Sequence, residues 1–98
     1  MRNPELLQEV KATLALLAEK SPGKAIEVRI PPYAAIQCGE GPKHTRGTPA
    51  NVIEMDAQTW LSLAYGEKSW ADALDAGSIN ASGVRADLSD LLPLGSRV

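Results

Sequence analysis

The chain has 98 residues, a formal net charge of −2, 44% hydrophobic residues and a single cysteine. This length predicts one domain over residues 1–98, and the acidic balance argues against nucleic-acid binding, which favours a strongly basic face. One cysteine cannot form an internal disulfide, and no apolar run reaches the length of a membrane span. We therefore expect a cytoplasmic protein with no integral membrane segment.

The first predicted element is a helix from about Pro4 to Lys20. Asn3 is suited to cap this helix, and proline is favoured at the first helical position. Apolar residues recur at helical spacing, which predicts one buried face, and they are Leu6, Val10, Leu14 and Leu17. The Ser-Pro-Gly sequence at 21–23 ends the helix.

Two short strands are predicted next. Residues 25–30 alternate between apolar and polar side chains, so Glu27 and Arg29 share a face that we expect to be wet. A second strand is predicted from Tyr33 to Cys38, and the alternation gives the cysteine a buried position on it.

A glycine- and proline-rich segment of twelve residues, 39–50, separates these strands from the next one. Its length and irregularity do not fit a simple hairpin turn. Asn51 to Met55 predicts a third strand. Asp56 then suits the N-cap of a helix that runs to about Tyr65.

Glycines mark the ends of the remaining elements. Gly66 ends the helix that Asp56 caps, Ser69 suits the N-cap of a second short helix, and Gly77 ends that one. A short strand is predicted around residues 79–81, followed by Gly83. Three leucines then predict a final helical ridge before a proline, and they are Leu88, Leu91 and Leu92. Residues 94–98 are expected to be a frayed tail.

The stretch from the third strand onward resembles the sterol carrier protein 2 superfamily, in particular small bacterial sterol-carrier-family proteins. The resemblance covers about two-fifths of the chain, in the order of acidic cap, aromatic–leucine helix, glycine stop, alanine-rich helix, glycine, strand, glycine and terminal helix. The residues that carry it are Asp56, Trp60, Leu61, Leu63, Gly66, Trp70, Ala73, Gly77 and Gly83.

The resemblance implies an α+β fold. The first helix would precede an antiparallel meander of three strands, and a pair of short helices would lead to a further strand and a C-terminal helix. It also implies a non-enzymatic binding or carrier protein for a lipid or another small apolar ligand, with no cofactor. The apolar wall of such a site would consist of Ile36, Trp60, Leu61, Trp70 and Leu74, although helical spacing also fits ordinary core positions. The alternative is an accessory module that keeps the fold without a cavity and forms a homodimer.

The size of the chain restricts any ligand cavity. A dry void of about 300 Å³, the lower limit for ligand pockets, costs roughly 7 kcal/mol at about 24 cal/mol per Å³. Whole-domain stability is only about 5–15 kcal/mol. The pocket is therefore expected to be open to water, completed by a second subunit, or collapsed into core.

The segment from Gly39 to Pro49 is the one place where polar groups converge in the sequence. The side chains there suit an anion or a polar partner, and they are Lys43, His44, Thr45 and Arg46. A solvated connecting loop is the alternative. An enzymatic hypothesis rests on His44 as a general base with Glu40 or Glu54 to orient it, and no spacing of ligands predicts a metal site.

Overall fold

The computed structural model describes residues 3–41 and 51–95 of the chain. It confirms an α+β fold. The elements, in chain order, are α1 Pro4–Lys20, β1 Ile26–Ile30, β2 Ala34–Cys38, β3 Asn51–Glu54, α2 Ala57–Ala64, α3 Trp70–Asp75 and β4 Asn80–Ser82.

Helix α1 has the predicted bounds because both ends are set by local chemistry. The Asn3 side chain accepts from the backbone N–H groups of Glu5 at 3.0 Å and Leu6 at 3.2 Å, which satisfies two donors that the first turn leaves free. Val10, Leu14 and Leu17 are fully buried, as their spacing predicts. Thr13 also lies in the buried face and is only 4% exposed.

The four strands form one mixed sheet in the order β2-β1-β3-β4. β1 pairs with β2 in an antiparallel register, and β3 pairs with β4 in the same way. β3, however, lies parallel to β1, with Ile26 opposite Asn51. The predicted antiparallel meander is therefore wrong at its third strand.

The parallel pairing of β1 and β3 determines how β2 is connected to β3. The antiparallel β2 returns the chain to the end of the sheet where β1 begins, since Cys38 lies opposite Ile26. Asn51 lies opposite the same Ile26 on the other side of β1. The connection between β2 and β3 must therefore join two strands about 10 Å apart, across one intervening strand, which no tight turn can do. The connection therefore needs several residues, and the segment 39–50 supplies twelve.

The two faces of the sheet differ as the alternation predicts. Val28 and Ile30 are fully buried, whereas the Arg29 guanidinium pairs with the Glu27 carboxylate on the opposite face. Glu54 on β3 lies opposite Arg29 in the parallel register, so the acidic and basic side chains alternate across the centre of this face.

A buried hydrogen bond joins α1 to α2 inside the core. Trp60 is fully buried, and its indole N–H donates to the Thr13 hydroxyl over 2.8 Å. The same hydroxyl lies 2.8 Å from the Glu9 carbonyl and 3.0 Å from that of Val10, so it can donate its proton within α1. Nearby, the Tyr65 hydroxyl donates to the Glu9 carboxylate over 2.9 Å. No buried side-chain nitrogen or oxygen of the described residues lacks a partner.

The predicted C-terminal helix is wrong, because residues 88–92 form only turns. The Asp87 carboxylate accepts from the N–H of Ser89 over 2.8 Å and forms an Asx turn, but only a few residues follow it before a proline. Pro93 then prevents continuation. The leucines are apolar because they cover the core, and Leu88 is fully buried. Within residues 3–41 and 51–95, no helix combines the length and apolar character needed to cross a membrane.

Candidate functional site

A cleft of about 380 Å³ lies where the turn between α2 and α3 faces the C-terminal segment. Its volume is near the lower end of the range for small-molecule sites, which is about 300–1,000 Å³. It is lined by Leu63, Gly66, Lys68, Ser69, Trp70, Ala71, Ser89, Leu92 and Pro93.

The first wall of the cleft is the turn that links the two short helices. α2 ends in a Schellman motif, in which Gly66 N–H donates to the Leu63 carbonyl at 3.3 Å and Glu67 N–H to that of Ser62 at 2.8 Å. Gly66 has a φ of +76°, in the left-handed region that glycine favours. Ser69 then caps α3 by accepting from Asp72 N–H over 3.1 Å. The chain therefore turns sharply and leaves a notch between the helices.

The second wall is the segment 89–93, which hydrogen bonds hold at its middle and just beyond its last residue. The Lys20 ammonium group donates to the Leu91 carbonyl over 2.7 Å. Beyond the cleft, the backbone N–H groups of Leu94 and Gly95 both donate to the Ala64 carbonyl, at 2.8 and 3.3 Å. The predicted frayed tail thus begins with two residues bonded to the end of α2, and residues 96–98 lie outside the described part.

The cleft has an apolar floor and a polar rim. Leu63 and Trp70 are buried at 1% and 8% exposure, whereas Lys68, Ser69 and Ser89 are exposed. The Lys68 ammonium group has no ion pair with a carboxylate of the described residues. Because its rim residues are exposed, the cleft is open to solvent, which avoids the free-energy cost of a dry enclosed void.

The five residues predicted for an apolar wall lie in different places. Trp70 lines the cleft. Trp60 and Leu61 are core residues, with exposures of 0% and 3%, and they do not line it. Ile36 is half-buried on β2, and Leu74 is 43% exposed on α3.

Sequence reasoning missed most of the cleft, including Lys68 and the segment 89–93. The position of Lys68 between the glycine that ends α2 and the serine that caps α3 was a usable signal for a turn next to Trp70. Nothing in the local sequence places Ser89 and Pro93 against that turn. Their position depends on bonds between residues distant in sequence, such as that from Lys20 to Leu91.

The predicted polar loop lies outside the described residues at Lys43, His44, Thr45 and Arg46, so its role stays a prediction. Its described flank shows one contact that the sequence did not suggest. The Arg85 guanidinium packs against Gly41. A Cβ atom added to this glycine would lie only 3.1 Å from an Nη atom of the arginine. Asn51 supports this contact by accepting from the N–H of Arg85 over 3.0 Å.

Cys38 occupies the predicted buried position on β2. Its side chain is fully buried, and the loss of hydration raises the pKa of its thiol above the ordinary value. A thiol in this environment stays protonated at neutral pH and is a poor nucleophile. Among the described residues, no group of three or more histidine, cysteine or acidic side chains could hold a metal ion.

The helix-first order, the four-stranded mixed sheet and the two short helices between β3 and β4 form an α+β domain, which is consistent with the sterol-carrier type that the resemblance implies. Comparison with protein families identifies the group. The family described as bacterial SCP ortholog matches residues 2–94, and the chain belongs to this family. No curated protein matches the chain.

Proposed function

We propose that this protein is a non-enzymatic binding or carrier protein for a small lipid or another small apolar ligand, which it holds in the cleft between the α2–α3 turn and residues 89–93. The observation that carries the proposal is an open cleft with Leu63 and Trp70 at its floor, in a member of the bacterial SCP ortholog family. Leu63 and Trp70 are themselves only 1% and 8% exposed, so the gain of about 25 cal/mol for each Å² removed from water comes mainly from the apolar surface of the ligand.

Carrier activity needs reversible binding rather than a reacting group. An open cleft suits this purpose, because the ligand can enter and leave without unfolding a wall. A cytoplasmic location is part of the proposal and is supported by Cys38, a free buried thiol with no need of an oxidising compartment.

The test is a ligand panel of fatty acids, acyl-CoAs and sterols, measured by native mass spectrometry and thermal shift. Ala71 is an exposed residue of α3 that lines the cleft, so Ala71→Phe fills it with little effect on the core. Ala76→Phe is the matched control, since Ala76 is exposed at the end of the same helix and lies outside the cleft. Tryptophan fluorescence gives an independent readout, because Trp70 lines the cleft whereas Trp60 is in the core.

We expect a ligand to raise the melting temperature of the wild-type protein and of Ala76→Phe, but not of Ala71→Phe. A free ligand concentration of one hundred times the Kd adds about 2.7 kcal/mol to the free energy of unfolding. If no member of the panel is retained or stabilises the protein, the carrier function is refuted.

One observation favours the accessory-module alternative. Leu16 is 53% exposed on α1 and lies beside a shallow groove of about 320 Å³ with Glu19, Lys20 and Leu94. An exposed leucine in a groove is a candidate contact for a second copy of the chain. Sedimentation of the wild-type protein and Leu16→Lys at high concentration tests this idea, and a monomer in both cases rejects it.

A further inference from the structure

Three connections of the chain meet at one end of the sheet. The parallel strands β1 and β3 both begin at this end, and β2 and β4, which are antiparallel to them, both end there. The connections that follow from this topology are residues 21–25, 39–50 and 83–86.

Contacts between described residues join the three connections. A Cβ atom added to Gly41 would lie 3.1 Å from the Arg85 guanidinium and 3.3 Å from the Cβ atom of Ala25, so one residue of each connection meets at this point. The Asn51 side chain donates to the Ala25 carbonyl over 2.9 Å and accepts from the N–H of Arg85. The backbone that carries Arg85 is therefore held at this end of the sheet.

The charge of the three connections is opposite to that of the rest of the chain. They contain four of the ten basic side chains and one of the twelve acidic ones, a net charge of +3 with histidine neutral, so the remaining residues carry −5. Lys24 and Arg85 are exposed, and neither forms an ion pair with a carboxylate of the described residues. Lys43 and Arg46 are counted from the sequence alone, because they lie outside the described part.

An exposed apolar side chain accompanies this positive charge. Val84 is fully exposed and lies next to Arg85 in the chain. A valine beside cations suits the boundary between the headgroups and the acyl chains of a bilayer. The three connections contain no Phe or Trp and no Tyr on which unpaired bases could stack, which argues against single-stranded nucleic acid as the partner.

From these observations we propose that this end of the molecule docks on an anionic lipid bilayer, with Lys24 and Arg85 against the headgroups and Val84 in the interfacial layer. The separation of charge orients the protein, because an anionic surface attracts the +3 end and repels the remainder. None of these three residues lines the cleft, so the proposal is independent of the carrier function. Helix α1 is less suited to this role, since it carries three acidic and two basic side chains.

The experiment measures co-sedimentation with vesicles of phosphatidylcholine alone and of an equal mixture of phosphatidylcholine and phosphatidylglycerol, at low and at high salt. The variants are Arg85→Gln, Lys24→Gln and Val84→Ser. Lys24→Gln tests the same surface without disturbing the packing on Gly41. Lys11→Gln is the control, because it removes the same charge from an exposed position on α1.

We expect the wild-type protein and Lys11→Gln to bind the anionic vesicles at low salt and to leave the neutral vesicles unbound. Arg85→Gln and Lys24→Gln should each bind about fivefold more weakly, which is the effect of one basic residue near an anionic surface. Val84→Ser should bind about threefold more weakly. Binding should decrease at high salt, because ions screen the attraction.

Each contrary result overturns a stated part of the proposal. Absence of binding to anionic vesicles at low salt overturns the docking itself, and an equal loss in Lys11→Gln overturns the assignment of the surface. Unchanged binding by Val84→Ser removes the valine from the interface. A single-stranded oligonucleotide that binds where vesicles do not would overturn the bilayer as the partner. Failure of the ligand panel at the cleft would refute the carrier function and leave this docking surface standing.

Discussion

The bond between Thr13 and Trp60 supports a quantitative prediction for Thr13→Val. The substitution preserves the shape of the side chain and removes the hydroxyl to which the buried indole N–H donates, 2.8 Å away. Threonine and valine have similar helix propensities, so α1 itself is barely affected. The stability change therefore reports the unpaired indole.

The size of the stability loss follows from the burial of both partners of this hydrogen bond. Trp60 is fully buried and Thr13 is 4% exposed, so no water replaces the lost hydroxyl without opening the core. An unsatisfied buried donor costs about 1–3 kcal/mol. The added methyl group recovers less than about 1 kcal/mol. We expect a net loss of about 1–2 kcal/mol, or a decrease in melting temperature of at least about 5 °C for a domain of this size.

The assay is urea unfolding followed by far-ultraviolet circular dichroism, with calorimetry as a second probe. Thr59→Val is the control, because Thr59 is a half-buried helical threonine whose hydroxyl has no hydrogen bond among the described residues. The control should change the free energy of unfolding by less than about 0.5 kcal/mol. If Thr13→Val is as stable as this control, the argument from the unpaired indole is refuted.

Three further predictions concern caps and the buried thiol. Gly66 and Gly77 end their helices with the same motif and have nearly equal φ angles, +76° and +73°. A Cβ atom added at Gly66 would lie 3.3 Å from Pro93, whereas one added at Gly77 would have no atom within 4 Å. Both alanine variants should lose about 1–2 kcal/mol in urea unfolding, with the larger loss at Gly66, and equal losses would exclude a role for the proline contact. Asp56→Ala should cost about 1 kcal/mol by removing the α2 cap, and an unchanged urea midpoint would contradict that. Because burial raises the pKa of Cys38, the folded state favours the neutral thiol, so its contribution to stability is present below the ordinary thiol pKa and is lost as pH rises through the folded value. Cys38→Ala should remove that part of the alkaline destabilisation, and identical pH profiles for both proteins would contradict the assignment.

The parts of the fold that depend on neighbours in sequence were predictable. The ends of α1 follow from Asn3 and the residues after Lys20, and the end of α2 follows from Gly66. Their hydrogen-bond partners lie within five residues, so the local sequence specifies them. The burial of Val28 and Cys38 followed from alternation in the same way.

The parts that depend on distant contacts were not predictable. The parallel pairing of β3 with β1 depends on which strand occupies the space next to β1, and local pattern does not encode this. The leucines near Leu88 have helical spacing, yet they cover the core from turns. Of the cleft, the sequence predicted only Trp70, because the other wall is placed by a bond that Lys20 donates and by two bonds that the Ala64 carbonyl accepts.

The parallel register of β1 and β3 has a consequence for how the sheet assembles. In the β1–β2 hairpin, Ile30 and Ala34 are close in sequence, so pairing can begin at the turn and extend one residue at a time. In the parallel pair no register partners are near neighbours, since Ile26 with Asn51 and Arg29 with Glu54 are each 25 residues apart. Each residue pair between β1 and β3 closes a loop of the same length. The first pair to form therefore bears the entropic cost of closing the loop, and the other pairs add little to it. The hairpin should therefore form by zippering, and β3 should join it in a single cooperative step.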